Sequence, residues 1–310
     1  MKDHIAILLA TYNGEKFLEE QLKSLVSQTY TDFTVYISDD CSTDSTIQII
    51  QKYCMMDARF VNMNNKHHFG NARDNFMSLL SYVESELYMF CDQDDVWVND
   101  KIEKMLQVYN QECSKDMPSL VYCDMKVVDE QLFVLNKSFQ DLFGFIPSKI
   151  FWEQYLYSNN ISGCALLMNR ALADLYRKND KIINKKQLIM HDFFFASIAA
   201  LFGEIIYLNE PLNLYRQHGN NSVGAHKPYS MNAIRHRLRE GKHELINCSK
   251  QVEEICKLLE YKQCDGTKYE LCKRFANFKT YRKKERIAVL RQIGAFKGSI
   301  LHKLYLLIIS

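Results

Sequence analysis

Three clusters of side chains could share one chemistry: Thr11-Tyr12-Asn13, Asp39-Asp40 and Asp92-Gln93-Asp94-Asp95. Carboxylates gathered in one place repel each other unless a cation or hydrogen-bond donors compensate. Mg²⁺ or Mn²⁺, held by one or two carboxylates together with substrate phosphates, is the natural compensator. A lone Asp-x-Asp is usually a solvated loop. Here, however, the Asp92–Asp95 set directly follows the apolar run Leu87-Tyr88-Met89-Phe90-Cys91, and Asp39-Asp40 closes a second strand-like run in the same way. The coincidence favours a site for a metal and a diphosphate.

For these clusters to meet, the strands that carry them must lie side by side and point the same way. Ile5 to Leu9 is continuously apolar, as in a strand buried on both faces. Phe17, Leu18, Gln21, Leu22, Leu25 and Val26 then follow helical spacing. Strands at 34–38, 60–63, 87–91 and 120–128 alternate with helices at 44–53, 70–82 and 101–109. Such alternation predicts an α/β fold, with a Rossmann-like, mostly parallel sheet flanked by helices and ligands at the carboxyl ends of its strands. Further on, the pattern predicts a strand at 162–168, a buried helix at 191–202 and one or two strands around Pro211. Beyond about His226 only Lys/Arg-rich helical patterns remain. The expected organisation is a main domain of residues 1–225 and a basic helical extension of residues 226–310.

No G-x-G-x-x-G follows the first strand, and there is no Walker A lysine loop or G-x-S-x-G. Dinucleotide redox chemistry and P-loop phosphoryl transfer therefore lose their main sequence support. Nucleic-acid binding has no recognised motif beside the basic tail.

Five segments carry a resemblance. They are Ala10-Thr11-Tyr12-Asn13-Gly14, Ser38 to Asp44, Cys91-Asp92-Gln93-Asp94-Asp95-Val96-Trp97, Met190-His191-Asp192, and Tyr215-Arg216-Gln217-His218-Gly219-Asn220-Asn221-Ser222. In kind, order and spacing they resemble the family-2 glycosyltransferases of GT-A fold, over roughly residues 4–225. The extended D-Q-D-D-V-W and Y-R-Q-H-G-N-N forms are most similar to the rhamnosyltransferase-like branch that builds surface polysaccharides.

The resemblance implies an inverting, metal-dependent sugar transfer from a dTDP- or UDP-sugar to a saccharide acceptor, with dTDP-L-rhamnose first and UDP-glucose or UDP-galactose second. Asp40 resembles the carboxylate that accepts the N3–H of uracil or thymine, which cytosine lacks. Thr11, Tyr12 and Asn13 match positions beside the nucleotide, and Gly70, Asn71 and Arg73 open a helix whose free N–H groups and cation suit its phosphates. Asp92, Asp94 and Asp95 resemble the acidic cluster, Asp92 toward the nucleotide and Asp94 and Asp95 at the metal. His218 is implied in the metal shell or at the diphosphate, and Arg216 at the diphosphate. Inversion needs a base for the acceptor hydroxyl's proton, and Asp192 is implied for it; a helix cap explains an Asp there equally well. His191 is its neighbour in the motif, Gly163 resembles a small residue beside the acceptor pocket, and Trp97 or Trp152 offers a face for a sugar or for the core. Cys41 departs from the family, which commonly has glycine there, so a positive φ at this position would be strained.

With 47% hydrophobic and 25% charged residues, the 310-residue chain has ordinary globular composition. Its ten cysteines form no C-x-x-C pair, which favours reduced, packed thiols over zinc or disulfides. The start Met1-Lys2-Asp3-His4 lacks a signal peptide's pattern, and no apolar run reaches the roughly 18–20 residues of a membrane span, so a cytoplasmic location is expected. Residues 227–310 carry nineteen Lys/Arg against eight Asp/Glu, a net +11, which leaves −9 on the rest of a chain whose total is +2. Beside the apolar Leu304 to Ile309, this charge predicts a peripheral dock on an anionic membrane, where a lipid-linked acceptor would lie. The alternatives are a solvated helical cap for the tail, and a sugar nucleotidyltransferase or a non-catalytic nucleotide-sugar-binding module for the whole.

Overall fold

The computed structural model describes residues 4–64, 66–147, 150–219, 231–262, 266–297 and 300–310. Its contacts divide the chain into two compact units. The first comprises Met1–Ser148, Asn160–Lys178 and Phe202–Gly224, and the second Lys149–Asn159, Asn179–Leu201 and Ala225–Ser310.

The first unit is a sandwich of helices about one sheet. Strand β1 (Ile5–Thr11) is buried at every position, as its continuous apolar run requires of a central strand. Helix α1 (Leu18–Val26) buries Leu18, Leu22 and Leu25, spaced along one face. β2 (Phe33–Asp39), α2 (Thr46–Met56), β3 (Phe60–Asn62), α3 (Ala72–Tyr82) and β4 (Leu87–Cys91) continue the alternation. Asn71 caps α3 by accepting the Asp74 N–H at 2.9 Å. After β4 come β5 (Val96–Trp97), α4 (Lys101–Glu112), β6 (Ser119–Val128), β7 (Val134–Asn136) and α5 (Phe139–Phe143). β8 (Leu166–Asn169), α6 (Arg170–Arg177) and β9 (Glu204–Arg216) complete the unit.

The strand order is β3-β2-β1-β4-β8-β6-β9-β5, with β7 paired to β6. β1, β2, β3 and β4 run parallel, as do β6 and β9, while β8 lies antiparallel between β4 and β6. The register sets Thr11 beside Asp39 and Leu9 beside Cys91, so the ends of β2, β1 and β4 form one edge. The sheet is thus the mostly parallel α/β sheet that the alternation implied.

Locally, one expectation changes, one is narrowed and one helix is new. The strand expected at 162–168 starts as a 3-10 turn, Gly163–Ala165, before β8. The segment around Pro211 is a single strand, β9, whose register with β6 slips from Cys123↔Leu208 to Asp124↔Pro211 because proline has no N–H for the ladder. α6 was not anticipated.

The second unit is helical. α7 (His191–Phe202) buries Phe193, Phe194, Phe195 and Ile198, and the Ser197 hydroxyl donates to the Tyr155 carbonyl at 2.7 Å. α8 (Met231–Lys262) buries Val252, Ile255, Cys256 and Leu259 at helical spacing. α9 (Gly266–Ala276), α10 (Lys283–Gln292) and α11 (Ile300–Ile309) follow. Gly241 leaves room where α8 meets α11, since a Cβ there would lie 2.0 Å from the Tyr305 hydroxyl and that ring would have to shift. In α11 Leu306 and Ile309 are buried and Ile308 is exposed, so part of the terminal apolar run is already used in packing. The expected boundary at residues 225 and 226, and Asn220, Asn221 and Ser222, lie outside the described residues. Among the described residues no helix is long and apolar enough to cross a membrane.

Candidate active site

The site is built on the edge where β2, β1 and β4 end. The Thr11 hydroxyl donates to Asp39 at 2.8 Å, and Asp39 also accepts the Ser42 N–H at 2.8 Å, so the β2 turn is tied to β1. Cys41 stands in that turn at φ +63°, the left-handed region. A cysteine held there costs about 1–2 kcal/mol that glycine avoids, which is the strain expected of this position. Asn13, at φ +45°, accepts the Thr43 N–H at 2.8 Å.

Asp40 is 4% exposed, and its carboxylate accepts the N–H groups of Phe69 and Gly70, the latter at 2.8 Å. The His68 imidazole Nδ1 lies 3.3 Å from Oδ1, the oxygen that takes Phe69, so Oδ2 is the less engaged of the two. Asp40 therefore joins the end of β2 to the segment that opens α3. There Arg73 pairs with Asp74, Nε to Oδ1 at 2.8 Å.

Gln93 straps β4 to β1. Its side chain accepts from the Tyr12 N–H and donates to the Tyr12 carbonyl, both at 2.9 Å. A Cβ on Gly14 would lie 2.3 Å from the Gln93 amide oxygen, so the close approach needs glycine at 14.

The acidic cluster follows. Ligand atoms of Asp92, Asp95 and Cys164 lie within 4.8 Å of one another. Burial, with the adjacent Asp94 charge, pushes the Asp95 carboxyl up to about 6. Its oxygens accept the Asn213 amide at 2.7 Å and the Arg216 backbone N–H at 3.1 Å. Burial holds the Cys164 thiol well above the usual thiol range, leaving it protonated and weakly ligating. Carboxylate oxygens are the hard donors that Mg²⁺ or Mn²⁺ prefers, and the repulsion between Asp94 and Asp95 is what such a cation would relieve. The residues present fit that group.

His218 joins the cluster, its Nε2 2.8 Å from Asp94 Oδ2. Arg216 does not serve as expected. It is 1% exposed and donates to the Asp94 carbonyl at 2.7 Å, to the Glu130 carbonyl and to Glu20, with its guanidinium 4.5 Å from the Phe17 ring centre. Its charge is spent on the protein, so it holds the Asp94–Asp95 segment instead of reaching a diphosphate. Trp97 is corrected too: at 1% exposure in the core, under the Lys101 ammonium, it has no face for a sugar.

Residues 6–176 match the model of Glycosyl transferase family 2. The chain belongs to that family. The dTDP-rhamnosyl transferase RfbG of Shigella flexneri is 32% identical to this glycosyltransferase over 227 residues, which are 70% of this chain and 74% of the relative. Among solved structures, S. aureus TarS in complex with UDP-GlcNAc has a TM-score of 0.54 at 18% identity, covering 93% of this transferase and 80% of that chain. The mannosyltransferase PcManGT from Pyrobaculum calidifontis, in complex with GDP-Man and Mn²⁺, has a TM-score of 0.54 at 13% identity and covers 100% of this chain and 86% of that one. At such identities the likeness speaks for the GT-A fold.

In this glycosyltransferase Thr11, Tyr12, Asn13, Asp40, Gly70, Asn71, Arg73, Asp92, Asp94, Asp95, His218 and Gly163 all belong to the first unit, the last in the turn that carries Cys164. His191 and Asp192 belong to the second unit, in the first turn of α7. His191 is 2% exposed, and burial pulls its imidazole down to about 3. Asp192 is half-buried and accepts the Phe193 N–H at 2.6 Å. Sequence reasoning missed Gln93 as a strap and gave Cys164, Lys101 and Asn213 no role. Only Gln93 stood within a recognised motif.

Proposed function

We propose that this transferase moves L-rhamnose from dTDP-L-rhamnose, with inversion and with Mg²⁺ or Mn²⁺, onto a saccharide acceptor in cell-surface polysaccharide synthesis. The observation that carries the reading is the junction of Thr11 and Asp40 with the Asp92–Asp95 cluster on adjacent parallel strand ends. A nucleoside diphosphate needs a base contact and a charge-compensated phosphate contact close together, and this edge offers both.

Asp40 would accept the pyrimidine N3–H, most readily at Oδ2, since Oδ1 already faces both the Phe69 N–H and the His68 imidazole. Thr11, Tyr12 and Asn13 would border the nucleoside, and the start of α3 at Gly70, Asn71 and Arg73 its phosphates. A bound Mg²⁺ or Mn²⁺ would be held by Asp94 and Asp95, with Asp92 and His218 beside them, and would supply charge for the departing diphosphate. Asp192 is the base that takes the acceptor hydroxyl's proton, and His191 and Gly163 border the acceptor side.

The dTDP-rhamnosyl relative supports the donor. A UDP-hexose is the second reading, because uracil and thymine present the same N3–H to Asp40. The acceptor is read as a lipid-linked saccharide. Residues 226–310 are read as a basic extension of the 1–225 transferase domain that docks on the anionic inner face of the plasma membrane from the cytoplasm.

A panel of dTDP-L-rhamnose, UDP-glucose and UDP-galactose, with and without Mn²⁺, tests the reading by nucleotide release. Release of dTDP that depends on the cation is expected. Release of UDP alone would replace the donor, and equal release without a cation would remove the metal.

A further inference from the structure

Behind the acidic cluster lies a buried cation that the chemistry so far does not use. Lys101, the first residue of α4, is 0% exposed. Its ammonium donates to the Cys164 carbonyl at 2.5 Å and to the Asn213 side-chain oxygen at 3.2 Å, and it lies 3.6 Å from the Trp97 ring centre. None of these partners carries a negative charge. A buried ammonium loses its hydration and needs a counter-charge nearby, and the counter-charge lies one amide away. Asn213, also 0% exposed, takes the lysine at its oxygen and donates its nitrogen to Asp95 at 2.7 Å.

The amide can stand only one way. With the ammonium on its oxygen, its N–H₂ must face Asp95, because a flipped amide would set N–H against the ammonium and oxygen against the carboxylate. The carboxylate is fixed in turn, one oxygen on Asn213 and the other on the Arg216 N–H. We propose that Lys101 and Asn213 are positioning residues for the acidic cluster: the lysine orients the amide and supplies the counter-charge from within the core, and the amide holds Asp95 ready to help take a divalent cation. The inference rests on the proposed metal reading and assigns that site its inner support.

The experiment measures Mn²⁺ binding to the full chain by electron paramagnetic resonance, with UDP present, alongside thermal unfolding. Lys101→Met fills the same core volume without charge, and Asn213→Leu keeps the lysine while removing the amide. Each is expected to weaken Mn²⁺ binding about tenfold or more, the usual effect of losing a residue that orients a metal ligand. Thermal unfolding of each variant separates weakened metal binding in a folded protein from loss of the fold, since removing one partner of a buried charge pair is itself destabilising. If Lys101→Met does not fold, Asn213→Leu carries the test alone. Wild-type Mn²⁺ affinity in a folded variant overturns the inference while leaving the metal reading in place. Absence of Mn²⁺ binding in the unmodified protein overturns both, and that result is visible before any variant is made.

Discussion

The imidazole Nε2 of His218 lies 2.8 Å from the Asp94 carboxylate, although 124 residues separate them in the chain. The contact joins the segment after β9 to the end of β4, with the Phe17 ring 5.0 Å from the imidazole. It ties the last recognised motif of the first unit to the acidic cluster. Two motifs that are unremarkable alone become one arrangement of donors.

Asp94→Ala is expected to abolish Mn²⁺-dependent turnover, and His218→Ala to weaken Mn²⁺ binding about 10–100-fold. Initial rates titrated with Mn²⁺ check both. Full activity in excess EDTA would remove the metal from the mechanism.

Asp192→Asn keeps the side chain's shape and removes its basicity. Donor binding should be unchanged by titration calorimetry, while transfer falls about 10²–10⁴-fold, the usual contribution of a general base. An unimpaired rate would leave Asp192 with its helix-terminal role in α7.

His191 makes stability depend on pH. Its imidazole is held down to about 3 by burial, against an ordinary value of about 6.5 when unfolded. Between those values the unfolded chain binds the extra proton, so stability rises with pH through this window and is lost as pH falls from about 6.5 toward 3. The slope from this one group approaches about 1.4 kcal/mol per pH unit. His191→Gln, neutral throughout, should flatten it. Denaturant unfolding of both proteins at pH 4.5, 5.5 and 7 decides, and parallel pH dependences would exclude His191 as the source.

The basic tail predicts salt-sensitive binding to anionic vesicles. Lys283 and Lys284 are exposed on α10. Replacing both with alanine should weaken vesicle binding by about 2 kcal/mol, or roughly thirtyfold, at about 1 kcal/mol per residue. Sedimentation with phosphatidylserine vesicles at low and high salt measures it. Identical partitioning of the double variant would leave these lysines as solvated surface.

The alternation of apolar runs with helical spacing was legible because it is local. Burial on both faces demands the continuous run Ile5 to Leu9, and one buried face demands the recurrence of Leu18, Leu22 and Leu25. The acidic clusters were legible for the same reason: each directly follows its own strand, and a parallel sheet sends those strand ends to one edge. Even the strain at Cys41 could be read from a residue standing where glycine is usual.

Tertiary structure decided what each charge does. Arg216 and Lys101 are cations of equal formal charge in the sequence, yet pairing with Glu20 and the Asp94 carbonyl commits the first, and enclosure behind Asn213 commits the second. Trp97 likewise has no local feature that separates a sugar platform from a core residue. Asn213, Cys164 and Asp95 are far apart along the chain and meet through the pairing of β9 and β8 with β6, set by packing across the whole sheet. Local sequence names the groups able to carry charge and the strands that present them. Which groups face a ligand and which are spent inside depends on long-range register, and no short stretch of residues encodes that.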